Sequence, residues 1–357
     1  MVDVADQSLL VQQCGSLGVI TLNRPRAVNA LNYQMMQGLN AALDRFEADP
    51  GVCAVLVRGA GERGLCAGGD IVALYRAMKD APQEGVEFFR YEYALNLRLS
   101  RYPKPYIALM DGLVLGGGLG VSAHGSHRLV TERTRAGMPE TVIGFSPDVG
   151  VLNILARAPQ HLGVLMALTG LHVGGADALA VGLADFFIPS ARVDDLVGEL
   201  SGVADSSEVD GVLAGMQVDA GASPLAAQAA WVQQAFAADS VEQIRESVRQ
   251  VVAAGGERAE FATRVLGAME QNSPTGMKVA LEAVRRAATQ SLAQTLNQDF
   301  VTTCRAMEGH DLSEGIRAQV IDKDRNPAWS PARLEEVGGG TVLAFFEPTD
   351  AGELGLA

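Results

Sequence analysis

Apolar residues follow two regimes along this chain. Up to about residue 190, short runs with strand spacing alternate with stretches of helical spacing. Leu9, Leu10 and Val11, then Val19, Ile20, Thr21 and Leu22, flank Cys14-Gly15-Ser16 and predict a hairpin over 8–22. Met35, Met36, Leu39, Ala42, Leu43 and Phe46 recur at helical spacing over 33–48, with Asn32 placed to cap the helix and Asp49-Pro50-Gly51 to end it. The unbroken apolar run 52–57 predicts a buried strand. Helices follow over 71–79, with Asp70 at its start, and over 84–101. A strand at 106–110 then leads through a glycine turn into a short helix at 119–124 and a strand at 127–131. Helices over 149–157, 161–169 and 175–181 precede a strand at 183–188, with Phe186 and Phe187 read as buried.

Beyond 190 the period is helical almost throughout, over 190–204, 224–236, 241–252, 258–271 and 275–288. The next strand signal is 341–346, and 348–357 reads as a tail. The chain therefore divides into a βα-alternating part, 1–190, and a mainly helical part, 191–357 with its short tail.

Composition narrows the function classes. The chain has 357 residues, 48% of them hydrophobic and 20% charged, as expected of a folded globular protein. A net charge of -14 argues against non-specific binding to nucleic acid or anionic membranes, but not against a phosphate held by local cations and backbone N–H groups. The four cysteines, Cys14, Cys53, Cys66 and Cys304, are scattered and form no C-x-x-C pair, so a disulfide framework or zinc knuckle is not expected. The first residues lack a basic segment followed by an apolar run, and a cytoplasmic protein with no metal is expected.

The chemistry concentrates between Pro105 and Gly150. Gly116-Gly117-Gly118-Leu119-Gly120 follows a strand, and Glu140 and Asp148 come about twenty residues later. Two readings stay open on the residues alone. Gly118-Leu119-Gly120 with Ala123 fits a dinucleotide fingerprint, though more than a hundred residues precede it and Glu140 follows a proline. Alternatively, Gly68-Gly69-Asp70 and Gly116–Gly118 each precede a helix, and each can aim a backbone N–H at one acyl oxygen.

A set of motifs in order resembles the crotonase (enoyl-CoA hydratase/isomerase) superfamily. It comprises Asn23-Arg24-Pro25 with Asn29-Ala30-Leu31, Cys66-Ala67-Gly68-Gly69-Asp70, Gly116–Gly118, and Pro139-Glu140 with Gly144 and Pro147. Phe88 to Tyr93, Met138 to Gly150, and Gly309-His310-Asp311 through Trp329 are similar to the 3-hydroxyisobutyryl-CoA hydrolase subfamily. The resemblance implies an α/β fold: a crotonase-like ββα spiral core, two roughly perpendicular sheets ringed by helices, with a C-terminal helical region. It implies hydrolysis of a short-chain 3-hydroxyacyl-CoA, 3-hydroxyisobutyryl-CoA of valine breakdown above all. An enoyl-CoA hydratase or isomerase, and a non-catalytic acyl-CoA-binding protein, are the alternatives.

Carried over residue by residue, the resemblance makes Gly69 and Gly117 the oxyanion donors and Glu140 and Asp148 the catalytic carboxylates. Glu92 becomes a substrate contact together with Gly117, Glu140 and Asp148. Arg24, Arg26, Ala67, Asp70 and Ile71 become the CoA contacts. Hydratases carry a second glutamate where this chain has Gly120, which moves the expectation from hydration to hydrolysis. No cofactor is expected beyond the CoA of the substrate, and the partner is the acyl-CoA itself, with a homo-oligomer allowed by the family. Cys66, His124, His127 and His310 are read as structural, and the Phe88, Phe89, Tyr91 and Tyr93 cluster as core or cleft wall.

Overall fold

The computed structural model describes residues 8–357. The first seven residues, whose composition bears on the expected lack of a leader, lie outside the described residues. The described chain forms two compact units that interleave in sequence. One takes residues up to 70, 94–136 and 173–222, and the other takes 71–93, 137–172 and 223–357.

The first unit holds the strands. β1 (Leu9–Cys14) and β2 (Leu17–Leu22) form the antiparallel hairpin. β3 (Ala54–Gly59), β5 (Tyr106–Met110), β7 (His127–Val130) and β9 (Phe186–Phe187) extend it in parallel, in the order β1-β2-β3-β5-β7-β9. β4 (Gly64–Cys66), β6 (Leu113–Leu115) and β8 (Arg135–Gly137) make a second, three-stranded sheet.

Buried parallel strands read as unbroken apolar runs, because helices cover both of their faces. Leu17 and Val19 of β2, with Leu56, Ile107 and Leu129, pack on Leu196, Leu200 and Leu213 of the helices Val193–Ser201 and Val209–Met216. Gly18, between them, turns to the other face and lies against the ring of Phe46 on α1 (Tyr33–Ala48). Asn32 caps α1 as expected, accepting the Met35 N–H at 2.8 Å.

The second unit is helical. It includes α2 (Ile71–Asp80), the first part of α3 (Pro82–Ser100), and the helices Leu162–Thr169, Ala229–Phe236, Val241–Ala254, Ala259–Gln271, Pro274–Ala287 and Leu292–Glu308. Phe145, Ala306, Leu312 and Ile316 form one of its cores, with Leu74, Ile143 and Phe345 against it.

Several expectations change. The helix Leu292–Glu308 is absent from the sequence reading, because its buried face carries Thr295, Asp299, Thr302 and Thr303 in place of a clean apolar stripe. The segment 341–346 is not a strand. Gly339–Ala344 is a short helix, and Phe345 joins the apolar core just described. The helix expected over 149–157 shrinks to Leu152–Leu155, since Val149 and Gly150 both have positive φ. The strand at 183–188 shrinks to Phe186–Phe187, and both rings are only half-buried. The strand at 106–110 matches its expected bounds.

Candidate active site

Four of the carboxylates buried in the second unit form one cluster, in which Asp148 is in electrostatic contact with the other three. Glu92 rides on α3, Glu140 opens the 3₁₀ turn Glu140–Ile143, Asp148 follows Pro147, and Asp299 comes from the helix Leu292–Glu308. Burying one unpaired carboxylate is costly, so four together call for specific donors or retained protons.

The donors are unevenly shared. The Tyr93 hydroxyl donates to Asp148 Oδ2 at 2.7 Å and lies 2.7 Å from Thr303 Oγ1. Gly150 N–H donates to Asp299 Oδ2 at 2.7 Å. Glu92 Oε1 and Glu140 Oε2 have no partner among the described residues. Burial first, and then the neighbouring Asp148, drive the Glu92 and Glu140 carboxyls far above the usual range. Asp299 moves the same way for the same two reasons. Asp148 rises by burial only to about 7, because the Tyr93 hydrogen bond pulls it back. The site therefore separates its carboxyls into one ionisable near neutrality and others biased towards the neutral acid.

The backbone that presents these groups is braced from the C-terminal motif. Gly315 lies so close to the Ile143 backbone that a Cβ there would overlap it, and Gly144 packs in the same way on Asp311. Asp311 accepts from Ser273 Oγ at 2.6 Å and from Ser330 N–H at 2.8 Å. Arg317 pairs with Glu314, Asp322 and Asp324, which folds the Ile321 to Trp329 stretch onto its own helix. The Arg317 partnership also holds the Glu314 carboxyl down, to about 2. The Gly309 to Trp329 motif thus acts as scaffold for the Glu140 turn. His310, with Nε2 2.9 Å from Ala328 O, is part of that scaffold.

The two glycine loops belong to the first unit. Val28 O accepts from Ala67 N–H at 2.9 Å, and Leu31 O accepts from Asp70 N–H at 2.8 Å. Gly68 N–H points at Cys66 Sγ at 3.4 Å. The Gly69 N–H lies between these engaged groups. Gly117 is the first residue of α4 (Gly117–Gly120), where a helix has no internal acceptor for its N–H. The loops touch closely enough that a Cβ on Gly118 would overlap the Cys66 carbonyl oxygen.

The expected CoA contacts are also placed. Arg24 is held by Asp70 Oδ2 at 2.8 Å and Ala30 O at 2.6 Å, so its guanidinium braces the loop. Arg26 is exposed, Ala67 and Asp70 lie in the same loop region, and Ile71 opens α2. Cys66 is buried, and His127 is engaged by Ser126 Oγ at 2.8 Å and Asp210 Oδ1 at 3.0 Å. Phe89 and Tyr93 of the aromatic cluster are buried, with the Phe89 ring against both Tyr93 and Phe145, as core.

Sequence reasoning missed Asp299 and Thr303 as site members and saw Tyr93 only as a ring. The signal was present: Thr295, Asp299, Thr302 and Thr303 follow helical spacing, and a buried stripe of short polar residues invites a polar partner. Among the described residues, no group of three or more His, Cys, Asp or Glu is placed to hold a metal ion, and no helix is long and apolar enough to cross a membrane.

A profile described as enoyl-CoA hydratase/isomerase matches residues 17–346. The chain is 36% identical over 355 residues to a protein of Gallus gallus named 3-hydroxyisobutyryl-CoA hydrolase, mitochondrial, covering 98% of this chain and 91% of that one. It is also 36% identical to 3-hydroxyisobutyryl-CoA hydrolase 1 of Arabidopsis thaliana, covering 97% and 93%. Among solved structures, it superimposes on a carnitinyl-CoA dehydratase from Mycobacterium thermoresistibile with a TM-score of 0.89 at 44% identity, covering 97% of this chain and 98% of that one. An enoyl-CoA hydratase from Rhodobacter sphaeroides gives 0.88 at 35% identity, covering 97% and 99%. The ordered motifs, the crotonase-type α/β fold and these full-length similarities agree, and the chain belongs to the enoyl-CoA hydratase/isomerase family.

Proposed function

We propose that this protein hydrolyses the thioester of a short-chain 3-hydroxyacyl-CoA, with 3-hydroxyisobutyryl-CoA as substrate and 3-hydroxyisobutyrate and CoA as products. The observation that carries the reading is the carboxylate set. Glu140 and Asp148 are buried in one unit with Glu92, while position 120, where hydratases resembling this chain place a second glutamate, is glycine. Near full-length similarity to proteins named for that hydrolysis supports it.

In this reading the Gly69 and Gly117 N–H groups polarise the thioester carbonyl and hold the oxyanion, each worth ~3 kcal/mol in the transition state. Asp148, ionised, takes a proton from water as the water oxygen bonds to the carbonyl carbon. The C–S bond then breaks, and neutral Glu140 gives its proton to the leaving sulfur. A proton passing from Asp148 to Glu140 restores the starting state. Glu92 faces the 3-hydroxyl of the acyl group. Exposed Arg26 and the backbone around Ala67, Asp70 and Ile71 meet the CoA, with Arg24 holding that loop in place. The chemistry requires no cofactor beyond the substrate's own CoA. The valine-derived acyl group and a cytoplasmic setting remain parts of this proposal, although the animal relatives carry a mitochondrial label in their names.

A free-thiol assay over a small acyl-CoA panel tests the proposal. 3-Hydroxyisobutyryl-CoA is expected to release thiol, and Glu140→Gln and Asp148→Asn to lower kcat by ~10²–10⁴ each. No thiol release from any 3-hydroxyacyl-CoA would sink it. The 44% identity to a protein named as a dehydratase favours a second reading, hydration or dehydration of an enoyl-CoA. In that case enoyl absorbance changes without thiol release. Tight binding of the ester without turnover, indifferent to Glu140→Gln, would instead mark a binding protein.

A further inference from the structure

We propose that Tyr93 and Thr303 are positioning residues that select Asp148, out of the four clustered carboxylates, as the one that carries the negative charge. The inference rests on the hydrolase reading only for the use made of that charge.

The number of protons fixes the direction of each hydrogen bond. A phenol has one proton, and the Tyr93 hydroxyl stands 2.7 Å from both Asp148 Oδ2 and Thr303 Oγ1. An ionised carboxylate is acceptor only, so the Tyr93 proton goes to Asp148. The Tyr93 oxygen can then only accept from Thr303, whose own proton is free for it. It is Thr302, one residue earlier, that turns back to the Asp299 carbonyl at 3.0 Å. Two hydroxyls in series therefore point at one oxygen of Asp148, and each strengthens the next.

The competing carboxylates lack such a chain. The titratable groups in electrostatic contact with Asp148 are Glu92 and Tyr93 from α3, Glu140 from the 3₁₀ turn and Asp299 from the helix Leu292–Glu308. Glu92 Oε1 and Glu140 Oε2 have no donor among the described residues, and the Glu140 and Asp299 carboxyls are each supported by a backbone N–H with no hydroxyl chain behind it. Like charges so placed cannot all ionise, and the charge settles where the donors are. Burial raises the Tyr93 phenol well above its ordinary range, so it keeps its proton while Asp148 titrates.

The relay is tested by titrating the carboxyl itself. Protein labelled with ¹³C at the aspartate carboxyls is followed by NMR against pH, and Asp148 is identified by its loss in Asp148→Asn. Its midpoint is expected near 7 in the wild type. Tyr93→Phe, which keeps the ring and removes the hydroxyl, is expected to raise it by about one to two units. Thr303→Val is expected to raise it by less, and Thr303→Ser to restore it. An unchanged midpoint in Tyr93→Phe overturns the proposal. If Tyr93→Phe does not fold, equal midpoints for Thr303→Val and Thr303→Ser overturn it as well. Absence of thiol release by the wild type would remove the hydrolase reading and leave this titration unaffected. Where thiol is released, the acid limb of kcat/KM is expected to move upward with the NMR midpoint, which a purely structural role would not produce.

Discussion

At the scale of single residues, Asp148 shows how the site trades stability for chemistry. Its carboxyl is raised by burial from an ordinary value of 3.8 to about 7 in the folded chain. Between those two values the folded state binds more protons than the unfolded one, so this group's contribution to stability falls as pH rises through the window. Asp148→Asn is therefore expected to melt higher than the wild type above pH 7, by a margin on the order of a few kcal/mol, with the gap closing towards pH 4. Thermal melts across that range check it. A variant that is both more stable and far less active fits a site whose charge is held against its surroundings. Activity runs the opposite way: in the proposed hydrolysis Asp148 accepts a proton only when ionised, so kcat/KM is expected to rise with pH through about 7.

Among elements, the Glu140 turn depends on residues outside the carboxylate cluster. Gly315 admits the Ile143 backbone where any side chain would overlap it. Gly315→Ala is expected to lower both Tm and kcat, although position 315 carries no functional group. Urea unfolding and the thiol assay on one preparation measure the two effects. By contrast, Ser291 closes a capping box with Gln294 at the start of the helix carrying Asp299 and Thr303. Ser291→Ala is expected to cost ~1 kcal/mol in urea unfolding.

Residues 106–110 and 33–48 were legible because an unbroken apolar run and a clean helical period each permit one element. The helix Leu292–Glu308 was not, because Thr295, Asp299, Thr302 and Thr303 interrupt the apolar residues of its buried face. Glu140, Asp148 and Glu92 were legible through motif resemblance. Tyr93 and Asp299 were not, because a phenol and a mid-helix aspartate acquire meaning only from what lies across the fold.

For the whole molecule, the net charge of -14 sets the long-range field. A CoA ester is itself a polyanion, so the field opposes its approach except near cations such as the exposed Arg26. Moderate salt screens that repulsion, and KM for an acyl-CoA is expected to fall as salt rises from about 20 to 150 mM. Steady-state kinetics at several salt concentrations decide it, and a KM that rises with salt would mean that local cations dominate.

The bonds that define the carboxylate site also set when it can exist. Gly150 meets Asp299 across 149 residues of chain, and Tyr93 meets Thr303 across 210. Chains emerge from the ribosome N-terminus first, and contacts between distant residues are the slow ones to close. Glu92, Glu140 and Asp148 are all synthesised long before the helix that completes their surroundings. Until that helix docks, their carboxyls stay hydrated and ionise as ordinary acids. The perturbed acid–base chemistry is thus a late event in the life of each molecule, and a nascent chain halted before residue 299 would carry Glu92, Glu140 and Asp148 without the surroundings that shift them.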